Sequence, residues 1–204
     1  MPSAPKRTQS ERRTRTRQAL LSAARKRFSA DGYAATATEA IVREAGVTRG
    51  ALYHHFEDKR ALFGAVIEEV ERGVSEQIGQ HVEGDPASDP VDRWIGAIEV
   101  FLRVSQQRDF QQIVLVDGPA VLGSEAWREL DAKYAFEDLM AALRRQQAAG
   151  RLTVDALEEA AWILHGAMNE AALRIARSPD PDHATARILT VFRQLITGLT
   201  KPGP

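Results

Sequence analysis

Cysteine is absent from the 204-residue sequence. That excludes a disulfide framework and any metal site built on thiolates. Long apolar runs are missing too, and none approaches the ~20 residues of a membrane-spanning helix. The opening, MPSAPKRTQSERRTRTR, is polar and basic and lacks the apolar stretch of a secretory signal. The cytoplasm is therefore the expected location, with no membrane partner. Signatures of catalysis are lacking as well. The histidines, His54, His55, His81, His165 and His183, make no HExxH or other metal spacing. There is no phosphate-cradling glycine loop and no GxSxG elbow. Adjacent acids such as Glu68-Glu69 and Glu158-Glu159 point in different directions on a helix and read as solvated faces. No catalytic residue, metal or cofactor is expected, and the chain reads as a non-enzyme.

Net charge is also nearly absent, at −1, but its distribution is lopsided. Residues 1–60 hold 13 basic against 6 acidic side chains, and residues 61–204 hold 14 against 22. A basic first third beside an acidic remainder suggests a polyanion bound at one end only. Lys6, Arg7, Arg12, Arg13, Arg15 and Arg17 form a basic arm opposed only by Glu11. Next to the motif described below, such an arm suits a DNA backbone.

What the sequence does contain is a short-helix pattern from Thr36 to Phe63. Thr36 and Glu39 have capping-box spacing, and Thr38 is an alternative cap. Ile41 and Ala45 mark one buried face. Gly46 stops the first helix, Val47 plugs the turn, and Thr48 offers an N-cap to a second helix with Leu52 and Phe56 inward. Asp58 can cap a third. Two helices joined by a glycine turn of three to four residues predict a helix-turn-helix, whose second helix enters the major groove. That second helix presents Arg49, Gly50, Tyr53, His54 and His55, and Lys59 follows at the next helix start.

The run AGVTRGALYHHFEDKRALF, with its lead-in RFSADGYAATATEAI, resembles the DNA-binding signature of tetracycline-repressor-type (TetR family) transcriptional regulators. The likeness covers roughly residues 14–74. It implies an all-α homodimer that binds double-stranded, palindromic operator DNA. A three-helix DNA-binding domain would span 14–74, with its motif near 37–56. A larger helical domain over 83–200 would bind a small effector and dimerise. By position, Thr48, Arg49, Gly50, Ala51, Tyr53 and His55 would face DNA, and Thr36 and Lys59 would contact phosphates. Ala37 departs from the Ser or Thr common in the family and leaves the cap of the second helix open.

The remaining helices follow from periodicity. The first runs from about Ser10 to Ala30, with Leu20, Ala24 and Phe28 inward and Asp31-Gly32 at its end. From Asp58, the spacing of Phe63, Ile67, Val70, Val74 and Ile78 carries one lever-like helix to about His81. Glu83–Pro90 reads as a loop. A helix over 91–106 follows. Phe110–Val116 is read as a short buried helix despite its strand-like IVLV, broken by Asp117-Gly118-Pro119. Helices over 124–149, from Thr153 or Asp155 to Arg177, and over 182–199 complete the chain. The last two are apolar on more than one side, which suits a dimer interface that includes Phe192 and Leu195. The family likeness places an effector pocket among Trp94, Phe101, Phe110, Val114, Trp127, Tyr134, Trp162, His165 and Asn169. Their apolar bias favours an apolar or aromatic ligand. Close packing of these side chains would favour the alternative, a regulator without effector whose C-terminal region serves dimerisation or a protein partner.

Overall fold

A capping box starts the first helix. The Glu11 N–H donates to the Thr8 hydroxyl at 3.2 Å, and the Thr8 N–H donates to the Glu11 carboxylate at 2.8 Å. The structure, a computed structural model, describes residues 8–84 and 89–201. Lys6 and Arg7 of the basic arm and the middle of the Glu83–Pro90 loop lie outside the described residues. Helix α1 spans Gln9–Ala35 and is broken at Gly32, whose φ of 77° is a conformation that favours glycine. Helices α2 (Thr38–Ala45) and α3 (Arg49–His55) follow. Gly46 sits between them at φ 65°, ψ 33°, the left-handed cap its sequence position foretold. Thr48 accepts the Ala51 N–H at 3.2 Å. Asp58 accepts the Ala61 N–H at 2.6 Å and opens α4 (Lys59–Gly84).

One expected cap does not form. The residue before α2 is Ala37, which has no side-chain bond to give. Thr36 is only 2 % exposed and donates its hydroxyl to the Gly32 carbonyl at 2.7 Å. The break at Gly32 leaves carbonyls without helical partners, and Thr36 satisfies one of them. Thr38 bonds the Glu39 carboxylate instead of the backbone.

In the second half, Asp89 caps α5 (Pro90–Val104) through the Val91 N–H at 2.7 Å. Phe110–Asp117 is helical, as expected, but wound as a π-helix. It does not stop at Asp117-Gly118-Pro119; the chain passes into α6 (Gly118–Leu122), and the break falls at Gly123 with φ 81°. Pro119, at the second position of α6, offers no N–H to the π-helical turn before it. Helix α7 (Ser124–Asp131) continues through a second π-helical stretch, Ala132–Phe136, into α8 (Glu137–Ala148). Helices α9 (Leu157–Ala176) and α10 (Pro181–Leu199) close the fold. Thr153 does not cap α9. Its N–H donates to Leu199 at 2.9 Å and its hydroxyl to Gly198 at 3.2 Å, so it ties the end of α10 to the α8–α9 connection.

The fold is all-α, and one buried cluster runs through both halves. It includes Leu20 and Phe28 of α1, Ile41, Leu52 and Phe63 of the motif, and Leu102, Phe110, Ile113, Ile175 and Ile196 beyond it. Phe28 meets Phe63 edge-on at 5.1 Å. A smaller cluster holds Phe136, Met140, Leu143, Leu152 and Ala161. The halves also cap one another. Arg108 donates to the Ser29 and Ala30 carbonyls near the end of α1, at 3.0 and 2.9 Å. In return, Arg60 of α4 donates to Val121 and Leu122 at the end of α6. Asp117 accepts the Tyr33 N–H at 2.8 Å, and Arg25 pairs with Asp109. A cation at a helix C-terminus meets both its free carbonyls and its dipole.

Candidate nucleic-acid interface and buried polar site

The turn and its caps hold α3 with one face outward. Arg49, Gly50, Tyr53 and His54 are exposed, Ala51 and His55 are half-buried, and Leu52 and Phe56 are inside. A Cβ on Gly50 would come no nearer than 4.0 Å to the Thr48 hydroxyl, so the backbone there is open to a close approach. Arg49 lies over the Tyr53 ring at 5.6 Å and 3.3 Å from the Glu39 carboxylate. Burial, then the neighbouring His54, Arg13 and Arg17, lower the His55 pKa and favour its neutral form. Arg12, Arg13, Arg15 and Arg17 project from the exposed first turns of α1, and Arg17 reaches back over the Phe56 ring at 5.4 Å. The arm residues in view are thus helical, and Arg17 ties their helix to the motif.

Two expected phosphate contacts sit differently. Thr36 is buried against the end of α1, as described, and its hydroxyl faces the protein. Lys59 is half-buried, lies over the Tyr33 ring at 4.1 Å and donates to the Tyr33 carbonyl. Burial lowers its pKa, with Asp117 opposing. Its ammonium therefore fastens the start of α4 to the end of α1.

A second feature lies deep in the C-terminal half. Glu71 of α4 is 2 % exposed and Asp131, the last residue of α7, is 4 % exposed. On α9, His165 places Nε2 3.1 Å from Asp131 Oδ2, off the direction of a hydrogen bond, and the Asn169 amide donates to the same oxygen at 3.2 Å. Burial, then the nearby Asp131, push the Glu71 carboxyl well above its usual range. Glu71 Oε1, His165 Nε2 and the buried indole N–H of Trp127 have no hydrogen-bond partner among the described residues. Gln146 Oε1 on α8 is a fourth such atom, and each unpaired buried polar atom costs about 1–3 kcal/mol.

Comparison with known proteins joins these features to a family. Residues 20–66 match the family model described as bacterial regulatory proteins, tetR family. Residues 91–199 match that of the tetracyclin repressor-like C-terminal domain. A TetR-family transcriptional regulator from Pectobacterium atrosepticum superposes with a TM-score of 0.76 at 31 % identity, covering 97 % of this chain and 100 % of that one. The chain belongs to the TetR family of helix-turn-helix transcriptional regulators. An HTH-type transcriptional repressor of Mycobacterium tuberculosis is 29 % identical over 83 % of this chain and 87 % of its own length. The HTH-type transcriptional regulator AcrR of Shigella flexneri is 34 % identical over 48 % of this chain, which spans only 47 % of that relative. No helix among the described residues is long and apolar enough to cross a membrane.

Within this TetR-family fold, the nine residues expected around an effector do not line one space. Phe101, Phe110 and Val114 are core, and the two rings meet edge-on at 5.9 Å. Trp94 is half-buried and packs against both clusters. Tyr134 turns outward, donating its hydroxyl to Glu68 at 3.1 Å, beside an open polar groove of about 280 Å³ that also holds Arg17, Glu69 and Arg72. Trp162 is 44 % exposed and stacks on Phe136 at 4.2 Å. Trp127 presses against Gly118, where a Cβ would lie 2.7 Å from the indole. His165 and Asn169 converge on Asp131, and Trp162 stands edge-on to His165 at 6.2 Å. Neither Asp131 nor Glu71 was foreseen. The signal for Glu71 was present: a glutamate at the i+4 position from Ile67 and three before Val74, inside the apolar stripe of α4.

Proposed function

We propose that the chain is a cytoplasmic transcriptional repressor that binds a palindromic operator as a homodimer and leaves it on binding a small effector. The observation that carries DNA binding is the outward face of α3, with Arg49, Gly50 and Tyr53 exposed beside the basic start of α1. Arg49 reads bases or phosphates from the major groove, and Tyr53 and neutral His55 supply hydrogen bonds. DNA must compete with Glu39 for the Arg49 guanidinium. In a titration of labelled operator selected from genomic fragments, Arg49→Ala is expected to lose about 1–3 kcal/mol and to relax sequence preference. Unchanged affinity and preference would remove α3 from the groove.

Two half-sites about 34–36 Å apart, or a multiple of that, require two copies of α3. Trp162 and Ile163 on α9 and Val191 and Leu195 on α10 are exposed apolar side chains suited to a paired face. Phe192, expected at that face from sequence, is 3 % exposed within its own chain's core. Leu195→Glu is therefore the discriminating substitution. Light scattering at micromolar concentration should give the dimer mass for the parent chain and the monomer mass for the variant. A variant that stays dimeric places the interface elsewhere.

The effector reading rests on the buried, unpaired atoms of Glu71 and His165 and on Asp131 beside His165. They sit on α4, α9 and α7. The first is the helix that begins at the DNA-binding motif, so a ligand there acts on α4 by preferring one of its positions. The close packing of Phe101, Phe110 and Val114 favours the second reading, a C-terminal half that only dimerises. Ligand-induced stabilisation of the chain separates the two.

A further inference from the structure

We propose that Glu39 sets the selectivity of Arg49: it holds the guanidinium back from phosphates and aims it at a guanine edge. This deepens the DNA-binding reading above and rests on it. Arg49 opens α3, and its Nη1 lies 3.3 Å from Glu39 Oε1 on α2. Its Cζ stands 5.6 Å from the centre of the Tyr53 ring, one turn along the same helix. Two helices therefore fix one side chain, α2 through a carboxylate and α3 through a ring face. The carboxylate is itself held. Thr38 donates its hydroxyl to Oε2 at 3.3 Å, which leaves Oε1 for Arg49. A hydrogen bond from its own backbone N–H, then Thr38 and Arg49, lower the Glu39 pKa and keep the group charged.

Other acids of the motif are placed differently. Glu44 pairs with Lys26 and Arg27 of α1, and Asp58 accepts the Ala61 N–H at 2.6 Å. Glu39 instead meets a side chain of the outward face of α3. Paired with it, Arg49 brings no net charge to the DNA backbone and gains little by displacing phosphate counterions. A guanine offers something else. The guanidinium has five N–H donors, and one spent on Glu39 leaves others for the O6 and N7 acceptors. The pairing thus weakens the sequence-independent part of Arg49's contribution and keeps the sequence-dependent part. Both side chains are exposed, and an exposed ion pair adds little to folding stability, so its removal reports on DNA rather than on the fold.

The test uses the full-length chain, the operator selected from genomic fragments, and a scrambled duplex of the same length and composition. Fluorescence anisotropy over a salt series gives affinity and salt slope for the parent, Glu39→Gln, Arg49→Ala and the double variant. Glu57→Gln is the control that removes one exposed negative charge from the same half. Glu39→Gln should bind the scrambled duplex more tightly, with a slope steeper by about one unit, because Arg49 takes up a phosphate. Its operator-to-scrambled ratio should fall about tenfold, the scale of one lost bidentate base contact. Glu57→Gln should keep the parent's ratio, and in the Arg49→Ala background Glu39→Gln should leave ratio and slope where they are. A Glu39→Gln chain with the parent's ratio overturns the proposal while operator binding stands. An equal fall in Glu57→Gln reduces the effect to net charge and overturns it too. So does a Glu39→Gln effect that survives Arg49→Ala, since Glu39 then acts on DNA directly. If Arg49→Ala binds operator as the parent does, the placement of α3 in the groove falls, and the role of Glu39 with it.

Discussion

Replacing Phe110 by alanine is expected to cost about 3–5 kcal/mol of folding stability, and with it operator binding. The ring is 1 % exposed and packs edge-on against Phe101, in the cluster that continues to Phe28 and Phe63 beneath the DNA-binding motif. It also opens the π-helical segment whose other end, Asp117, holds the Tyr33 amide. An alanine there leaves a cavity within reach of both halves. A urea titration would show the midpoint fall, and a mobility-shift assay at the same temperature would show the loss of complex. Were Phe110 part of an effector wall, as its sequence context suggested, the variant would keep its midpoint and its DNA and lose only the ligand response. That outcome would contradict its placement in the core.

Glu71→Met should act in the opposite direction and stabilise the chain. Methionine fills a comparable volume and removes a carboxyl oxygen that has no partner. The gain at neutral pH is expected at about 1–3 kcal/mol, the usual cost of an unsatisfied buried group. Its pH dependence follows from the direction of the shift. The folded carboxyl holds its proton above the usual value of 4.5, at which the unfolded chain titrates. Between those two values the folded state binds the extra proton, so stability falls as pH rises through that window. Asp131, whose charge acts on Glu71, and His165 beside Asp131 are present in both chains. The difference between the two melting curves therefore reports Glu71. The parent should approach the variant at low pH and fall behind as pH rises; parallel curves would show that Glu71 is not the group responsible.

The DNA-binding half was legible because its signals are local. Gly46, Thr48 and Asp58 each act within four residues of their own position, and the structure uses each as a turn or cap. Thr36 looks backward rather than forward: the break at Gly32, four residues earlier, offers it a carbonyl that the capping-box pattern does not consider. Lys59 is expected at a phosphate because nothing nearby in sequence reveals Tyr33, twenty-six residues earlier, beneath it. The C-terminal half obeyed the helical period but concealed its chemistry. Glu71 and Asp131 each look like one more charge on a helix, and only the packing of α4 against α7 makes them neighbours. Aromatic rings gave the reverse error. Phe101 and Phe110 have the composition of a ligand wall and of a core alike, and packing decides between them.

Arg108 and Arg60 close helix ends that belong to the opposite half of the chain. Each half leaves one helix end to be finished by the other. If the motif swung away intact, the carbonyls of Ser29 and Ala30 would lose their donors, and those of Val121 and Leu122 would lose theirs in the same step. The unit that melts is consequently the whole chain, and a fragment cut between α4 and α5 would inherit frayed helices on both sides of the cut. The two halves then share one stability, and whatever tightens one tightens the other.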